Sequence, residues 1–261
     1  MKRALSFFVC VCLLLSLAGC SLDIFGVDVK VNVPSRTVNL SDEHRVFEAE
    51  ADSEKSGYRL VIENIFFDDT PKTTLAVTPA DGPAHVSVDC SREFENYGLK
   101  VEISGDTITV SADDNVRFDT DFFAVTVAAD ISEYRIDGGY SFTVETVPAD
   151  RFEMELNGAA RGEVTGIDAK TARLTVDGAA SVELSGGAGE LSCTLNGAGA
   201  VDAEELAVQD SEVTINGAGS VTLSAEENLK AEINGVGSIT YYGDPKVDKS
   251  VAGLGTVKKA G

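Results

Sequence analysis

Leu195-Asn196-Gly197-Ala198-Gly199-Ala200-Val201 is followed, 20 residues on, by Ile215-Asn216-Gly217-Ala218-Gly219-Ser220-Val221. The same corner dipeptide stands at Asp137-Gly138, Asn157-Gly158, Asp177-Gly178, Asn234-Gly235 and, in degenerate form, Ala252-Gly253. Along the chain these glycines lie 20, 20, 19, 20, 18 and 18 residues apart. Recurrence at so even a period is the signature of an architecture built by stacking like units.

Columns read relative to the corner say what each unit is. Immediately before it stand Ile136, Leu156, Val176, Leu195, Ile215, Ile233 and Val251. Five residues after the Asn or Asp come Phe142, Gly162, Val182, Val201, Val221, Ile239 and Val257, apolar with one glycine gap. Two further on are Val144, Val164, Leu184, Ala203, Leu223 and Tyr241. Thr, Ser, Glu and Asp fall between, so apolar and polar residues alternate with the period of a strand buried on one face. Successive hairpins would reverse direction and scramble these columns, whereas a chain that winds once per repeat lays like over like at a spacing of roughly 4.8 Å. The expected fold class is all-β: a right-handed parallel β-helix of about seven coils, one for each corner, on the order of 30 Å long.

The Asn/Asp-Gly column reads as a structural turn ladder rather than a ligand site. Glycine takes positive φ without steric cost, and an Asn or Asp side chain can bond local backbone or its neighbour in the next coil. The far end carries its own signal. The column Tyr134, Met154, Leu174, Cys193, Val213, Ala231 ends in Lys249, and the column that ends at Tyr241 continues to Lys259. Lysine at inward positions of the last coil protects an open sheet edge from end-to-end aggregation.

Before residue 131 the repeat fades. Arg59 to Ile65, His85 to Cys90, Leu99 to Ile103 and Thr107 to Val110 read as strands, the last two joined by Ser104-Gly105-Asp106. Residues 43–130 are therefore expected to form an irregular β cap on the stack of residues 131–261, with residues 21–42 as a membrane-proximal tether.

The first 20 residues have another purpose. Lys2 and Arg3 precede an apolar stretch from Ala4 to Leu17, and Leu17-Ala18-Gly19-Cys20 closes it with small residues before a cysteine. That stretch is too short to span a bilayer, so it reads as a cleaved signal. The tetrad resembles the bacterial lipobox, which implies lipid attachment at Cys20 and a membrane anchor of two or more acyl chains. Ser21 after that cysteine is compatible with outer-membrane sorting in a two-membrane cell.

Composition narrows the partners. The net charge is −22, and removing Lys2 and Arg3 takes it to −22 − 2 = −24. Such a chain repels DNA, RNA and anionic headgroups, so no nucleic-acid partner is expected. With 43% hydrophobic residues and mean hydropathy +0.03, it can bury a core and is no disordered acidic tail. Cys90 and Cys193 share parity with apolar neighbours and read as free buried thiols behaving as small hydrophobes, with a bridge between them as the alternative in an exported protein.

The stretch Ile233-Asn234-Gly235-Val236-Gly237-Ser238-Ile239-Thr240-Tyr241-Tyr242-Gly243-Asp244-Pro245, with Val251-Ala252-Gly253-Leu254-Gly255-Thr256-Val257 after it, resembles the family of the putative auto-transporter adhesin head GIN domain. The resemblance spans residues 43–261 and is firmest in the C-terminal half. It implies a β-solenoid displayed outside the cell membrane.

Catalytic signals are weak. From Leu174 to Leu229 there is no Lys, Arg or His, against ten carboxylates: Asp177, Glu183, Glu190, Asp202, Glu204, Glu205, Asp210, Glu212, Glu226 and Glu227. A polysaccharide lyase needs a basic residue as base, and this surface repels uronic-acid polymers. A glycosidase needs only two carboxylates at a set separation, a condition ten candidates satisfy too easily to be informative. His44 and His85 have no Ser or Cys partner at motif spacing. Asp113-Asp114-Asn115 and Asp119-Thr120-Asp121 concentrate carboxylates, and Gly186-Gly187-Ala188-Gly189 only partly fits a calcium repeat because Leu191 stands where that pattern has Asp. No metal or cofactor is expected. Tyr242, next to inward Tyr241, points outward and could stack on a sugar. The expected function is a non-enzymatic, lipid-anchored module of the cell membrane or outer membrane, presenting an acidic solenoid to a glycan or another envelope protein. The alternatives are a neutral-glycan hydrolase with two carboxylates and an envelope sensing or assembly factor.

Overall fold

The computed structural model describes residues 22–24, 27–29, 36–41, 43–67, 72–113, 116–120 and 122–260. The signal segment and Cys20 lie outside them, as does part of the expected tether. The end of the tether departs from that reading: Arg36–Asn39 pairs in parallel with Val116–Asp119 of the cap, and Val38 and Leu40 pack against the core. Among the described residues every regular element is a strand except one 3-10 turn, Arg92–Tyr97.

From Asp130 onward the chain winds as a parallel solenoid. Ile136 opposes Leu156, Val176 opposes Leu195, Leu195 opposes Ile215, Ile215 opposes Ile233, and Ile233 opposes Val251. Aliphatics therefore stack on aliphatics in adjacent rungs, and the seven corners enclose about six turns. Each rung presents two broad faces. Face A is the strand before the corner, as in Leu206–Ile215, Asn228–Ile233 and Lys246–Val251; face B is the strand after it, as in Ala198–Ala203, Ala218–Ser224 and Val236–Tyr242. Apart from half-buried Gly162 and Tyr241, the inward columns of both faces are buried until the last rung, where Lys249 and Lys259 stand exposed over Ala231 and Tyr241. Lys259 reaches across to Asp244.

The corner combines two devices. Asn234 donates from Nδ2 to Oδ1 of Asn216 at 2.9 Å, Asn216 to Asn196 at 2.8 Å, and Asn196 to Asp177 at 2.6 Å. A second run joins Asn157 to Asp137 at 2.7 Å. An amide both donates and accepts, so it passes the ladder on; a carboxylate only accepts, so each run ends on an aspartate. The second device is the glycine beside it, and here the structure corrects the expected reason. Only Gly138 and Gly158 of this column have positive φ, +126° and +144°. At the other five the limit is closeness: a Cβ on Gly217 would sit 1.8 Å from the carbonyl oxygen of Gly197, and one on Gly178 2.0 Å from that of Gly158. The rungs approach so tightly at the corner that no side chain fits, whatever the backbone angles.

The N-terminal region is built out of order. Ser56–Glu63 and Lys72–Thr78 form a rung that pairs in parallel with Asp130–Glu145 on one side. On its other side lie Thr107–Ser111 and Phe122–Ala128, also parallel. The chain thus lays one rung, leaves, returns to lay the rung beneath it, and then passes over the first to begin the repeats. Ala129 makes that crossing, its N–H bonded to the Thr78 carbonyl at 3.0 Å. Antiparallel strands close this end: Lys100–Ser104 on Thr107–Ser111, His85–Ser91 on Phe122–Ala128, and His44–Glu50 outermost on His85–Ser91. Parallel strands would demand a further rung, whereas antiparallel ones finish the sheet.

Candidate functional site

Outward side chains fall in columns across neighbouring rungs, and the two faces use them differently. On face A the column Arg59, Glu133, Glu153, Arg173 pairs internally. Arg59 Nη2 lies 2.9 Å from Glu133 Oε2, Arg173 Nε lies 4.0 Å from Glu153 Oε1, and Arg151 also contacts Glu153. Arg135 lies 3.7 Å from Asp137, and Asn157 donates to Glu155 at 2.9 Å. A groove of about 390 Å³ runs among these residues, and both arginines that line it, Arg59 and Arg135, are already partnered.

Face B carries a groove of about 400 Å³ across four rungs. Two outward columns line it: Thr74, Ser141, Arg161, Ser181, and Ala76, Thr143, Glu163, Glu183. The inward column between them is Leu75, Phe142, Gly162, Val182. The glycine gap seen in the sequence is no cavity: a Cβ on Gly162 would lie 2.1 Å from the Phe142 carbonyl oxygen and 2.6 Å from its ring. Phe142 occupies the missing volume. Outside, short hydroxyl side chains on either side of Arg161 leave the depression.

Arg161 is distinguished by what it lacks. Arg45, Arg59, Arg92, Arg135, Arg151 and Arg173 each lie within ion-pair reach of a carboxylate; Arg161 makes no such pair among the described residues. It is exposed, as are Glu163 and Glu183. Sequence reasoning passed over it, yet a signal was there. Its column reads Ser141, Arg161, Ser181, Ala200, Ser220, Ser238, Thr256, and Arg161 is the one charged residue in it.

The ten carboxylates between Leu174 and Leu229 are dispersed. Asp177 sits at the corner, Glu183 and Asp202 on face B, Glu190, Asp210 and Glu212 on face A, and Glu204, Glu205, Glu226 and Glu227 at the opposite edge. They surround the solenoid instead of converging on one cleft. Glu163 and Glu183 do stack in adjacent rungs, but both stand in solvent, without the apolar enclosure that a general-acid carboxyl requires. His44 Nδ1 lies 3.0 Å from Asp89 with its ring stacked on Phe122, and His85 Nε2 lies 3.9 Å from Glu48. Both histidines thus link the same two cap strands. Of the acidic runs weighed for calcium, Asp114, Asn115 and Asp121 lie outside the described residues; no three His, Cys, Asp or Glu among the described ones form a metal-holding group. Gly186 and Gly187 are rung residues paired with Ile167 and Asp168 just after a register shift, and Gly186 holds φ +126° with no space for a side chain against the Ile167 backbone. The Tyr242 hydroxyl faces Glu204, whose charge and hydrogen bond, with partial desolvation and more distant Asp202, raise its pKa. Cys90 and Cys193 are both buried and free, and burial pushes each thiol up to about 12, with help at Cys90 from Asp89.

Residues 85–245 match the profile of a family described as "Putative auto-transporter adhesin, head GIN domain". Among solved structures, a putative adhesin from Bacteroides fragilis superposes with a TM-score of 0.73 at 18% identity, over 85% of this chain and 100% of that one. A putative lipid binding protein from Parabacteroides distasonis gives 0.64 at 16% identity, over 87% and 100%. A putative adhesin from Parabacteroides merdae gives 0.60 at 18% identity, over 87% and 100%. At such identities the likeness is one of fold. No curated relative matches the chain.

Proposed function

We propose, from the premise that the chain belongs to the family of the putative auto-transporter adhesin head GIN domain, that it is a non-enzymatic ligand-binding module of the cell envelope. The observation that carries this is the distribution of charge. Carboxylates ring the solenoid on every side, which suits a soluble, rigid display scaffold, whereas hydrolysis needs a convergent and partly desolvated pair. The adhesin descriptions of the family and of two solved neighbours support a surface role.

In this reading Cys20 carries the lipid, the segment between it and the cap strand Arg36–Asn39 spans the distance to the membrane, and the solenoid faces away from the cytoplasm. No helix among the described residues is long and apolar enough to cross a membrane. The lipobox-like Leu17-Ala18-Gly19-Cys20 supports anchorage by acyl chains, two of which hold a protein durably. The partner is a glycan or another envelope protein.

The test is a binding screen against immobilised glycans and envelope proteins, using the chain without residues 1–20, with reducing-sugar release measured on every glycan that binds. Binding without release is expected. Release of reducing sugar would replace the proposal with hydrolysis, and failure to bind either class of partner would end it.

A further inference from the structure

We infer that the face B groove around Arg161 is a binding site for neutral glycans, a deepening that rests on the surface-module reading above. Three observations converge there. Arg161 is an exposed guanidinium without an ion pair among the described residues, in a chain whose net charge is −22 and whose other described arginines named above all pair. A guanidinium surrounded by so many carboxylates and still free is available to a ligand.

The second observation is the chemistry of its neighbours. Ser141 and Ser181 flank it in its own column, and Thr143, Glu163 and Glu183 line the next. Guanidinium supplies donors only, carboxylate acceptors only, and hydroxyl both. Sugar hydroxyls each donate and accept, so neighbouring ones can bridge a guanidinium and a carboxylate at once. An apolar ligand would leave these groups desolvated and unpaired.

The third observation is charge. One guanidinium against Glu163 and Glu183 leaves the groove at net −1, inside a field of the same sign, so sulfated, phosphorylated and uronic-acid ligands are repelled. A neutral glycan meets no such penalty. Its volume, about 400 Å³, falls in the range of small-ligand sites. Without an aromatic platform on its polar columns, the groove would hold single sugars weakly, and copies arrayed on a membrane would gain by multivalency.

Detergent-solubilised full-length protein on an array of neutral, sialylated and sulfated oligosaccharides tests this. Binding is expected among the neutral members. Arg161→Ala should weaken it about tenfold or more, the scale of losing a charged hydrogen-bond donor, and Glu163→Ala should weaken it too. Arg173→Ala, on face A, should leave it unchanged, with thermal melts confirming that all three variants fold. Undiminished binding by folded Arg161→Ala overturns the inference, as does a preference for sialylated or sulfated glycans strengthened by Glu163→Ala. Silence from all neutral glycans also overturns it, while the envelope-protein arm of the earlier screen decides the broader reading separately.

Discussion

Asn216 donates from Nδ2 to Oδ1 of Asn196 at 2.8 Å, and Asn196 in turn donates to Asp177 at 2.6 Å. Asn196 is therefore a middle rung of the corner ladder, while Asn234 is an upper end that also bonds Glu232 at 2.8 Å. Replacing Asn196 with Ala removes two inter-rung bonds and leaves Asp177 without its donor. Replacing Asn234 removes only one inter-rung bond. Asn234→Ala also gives up the bond to Glu232, but both of its bonds are exposed, whereas Asn196 holds the ladder on two sides and its bond from Asn216 is partly buried. At about 1 kcal/mol for a partly buried hydrogen bond and less for an exposed one, Asn196→Ala should cost more than Asn234→Ala in urea unfolding; equal losses would show that the ladder is ornamental.

Gly217 distinguishes the two possible reasons for the glycine column. If left-handed backbone were the requirement, Asn would be tolerated there. Close approach to the Gly197 carbonyl, 1.8 Å from an added Cβ, penalises every side chain. Gly217→Ala, Gly217→Asn and Gly217→Val should each lower the melting temperature by much more than Ser220→Val on outward face B. A harmless Gly217→Asn would restore the conformational explanation.

Gly162 is a place where column logic misleads. The sequence column is otherwise a run of large apolar residues, so Val at 162 looks like a repair. Phe142 already fills that space, 2.6 Å from an added Cβ, and overpacking of a filled core is destabilising by about 1–3 kcal/mol. Gly162→Val should therefore lower stability, measured by thermal or urea unfolding, and a gain would mean the ring moves aside freely.

The two thiols supply a pH prediction. Burial raises Cys90 and Cys193 from 9.0 to about 12, so the folded state holds their protons more tightly than the unfolded one. Their contribution to stability is fully present below pH about 9 and is lost as pH rises towards about 12. At pH 8 both should resist a thiol reagent in buffer and react fully in denaturant. Rapid labelling of the native protein would contradict their burial.

Cys20→Ala tests the anchor. Metabolic labelling with a palmitate analogue should mark the wild-type chain and not the variant, and the variant should leave the membrane fraction. Persistent membrane association of an unlabelled Cys20→Ala chain would point to another mode of attachment.

The solenoid was legible because its determinants are periodic and local. Leu195, Ile215 and Ile233 stand at the same phase of successive repeats, and once the chain winds, phase alone puts them in adjacent rungs. Sequence spacing could not disclose the rung of Ser56–Glu63 and Lys72–Thr78, which lies 74 residues from its partner Asp130–Glu145 and 48 from Thr107–Ser111 by their paired registers, Arg59 with Glu133 and with Thr107. No period joins such distances; only the closing of free sheet edges does. Nor could the sequence distinguish Arg161 from Arg173 by partnership, since an ion pair depends on which carboxylate the neighbouring rung brings within reach. The pattern of apolar residues thus specifies how the chain winds, and the lateral packing of rungs decides which charges remain free to meet a ligand.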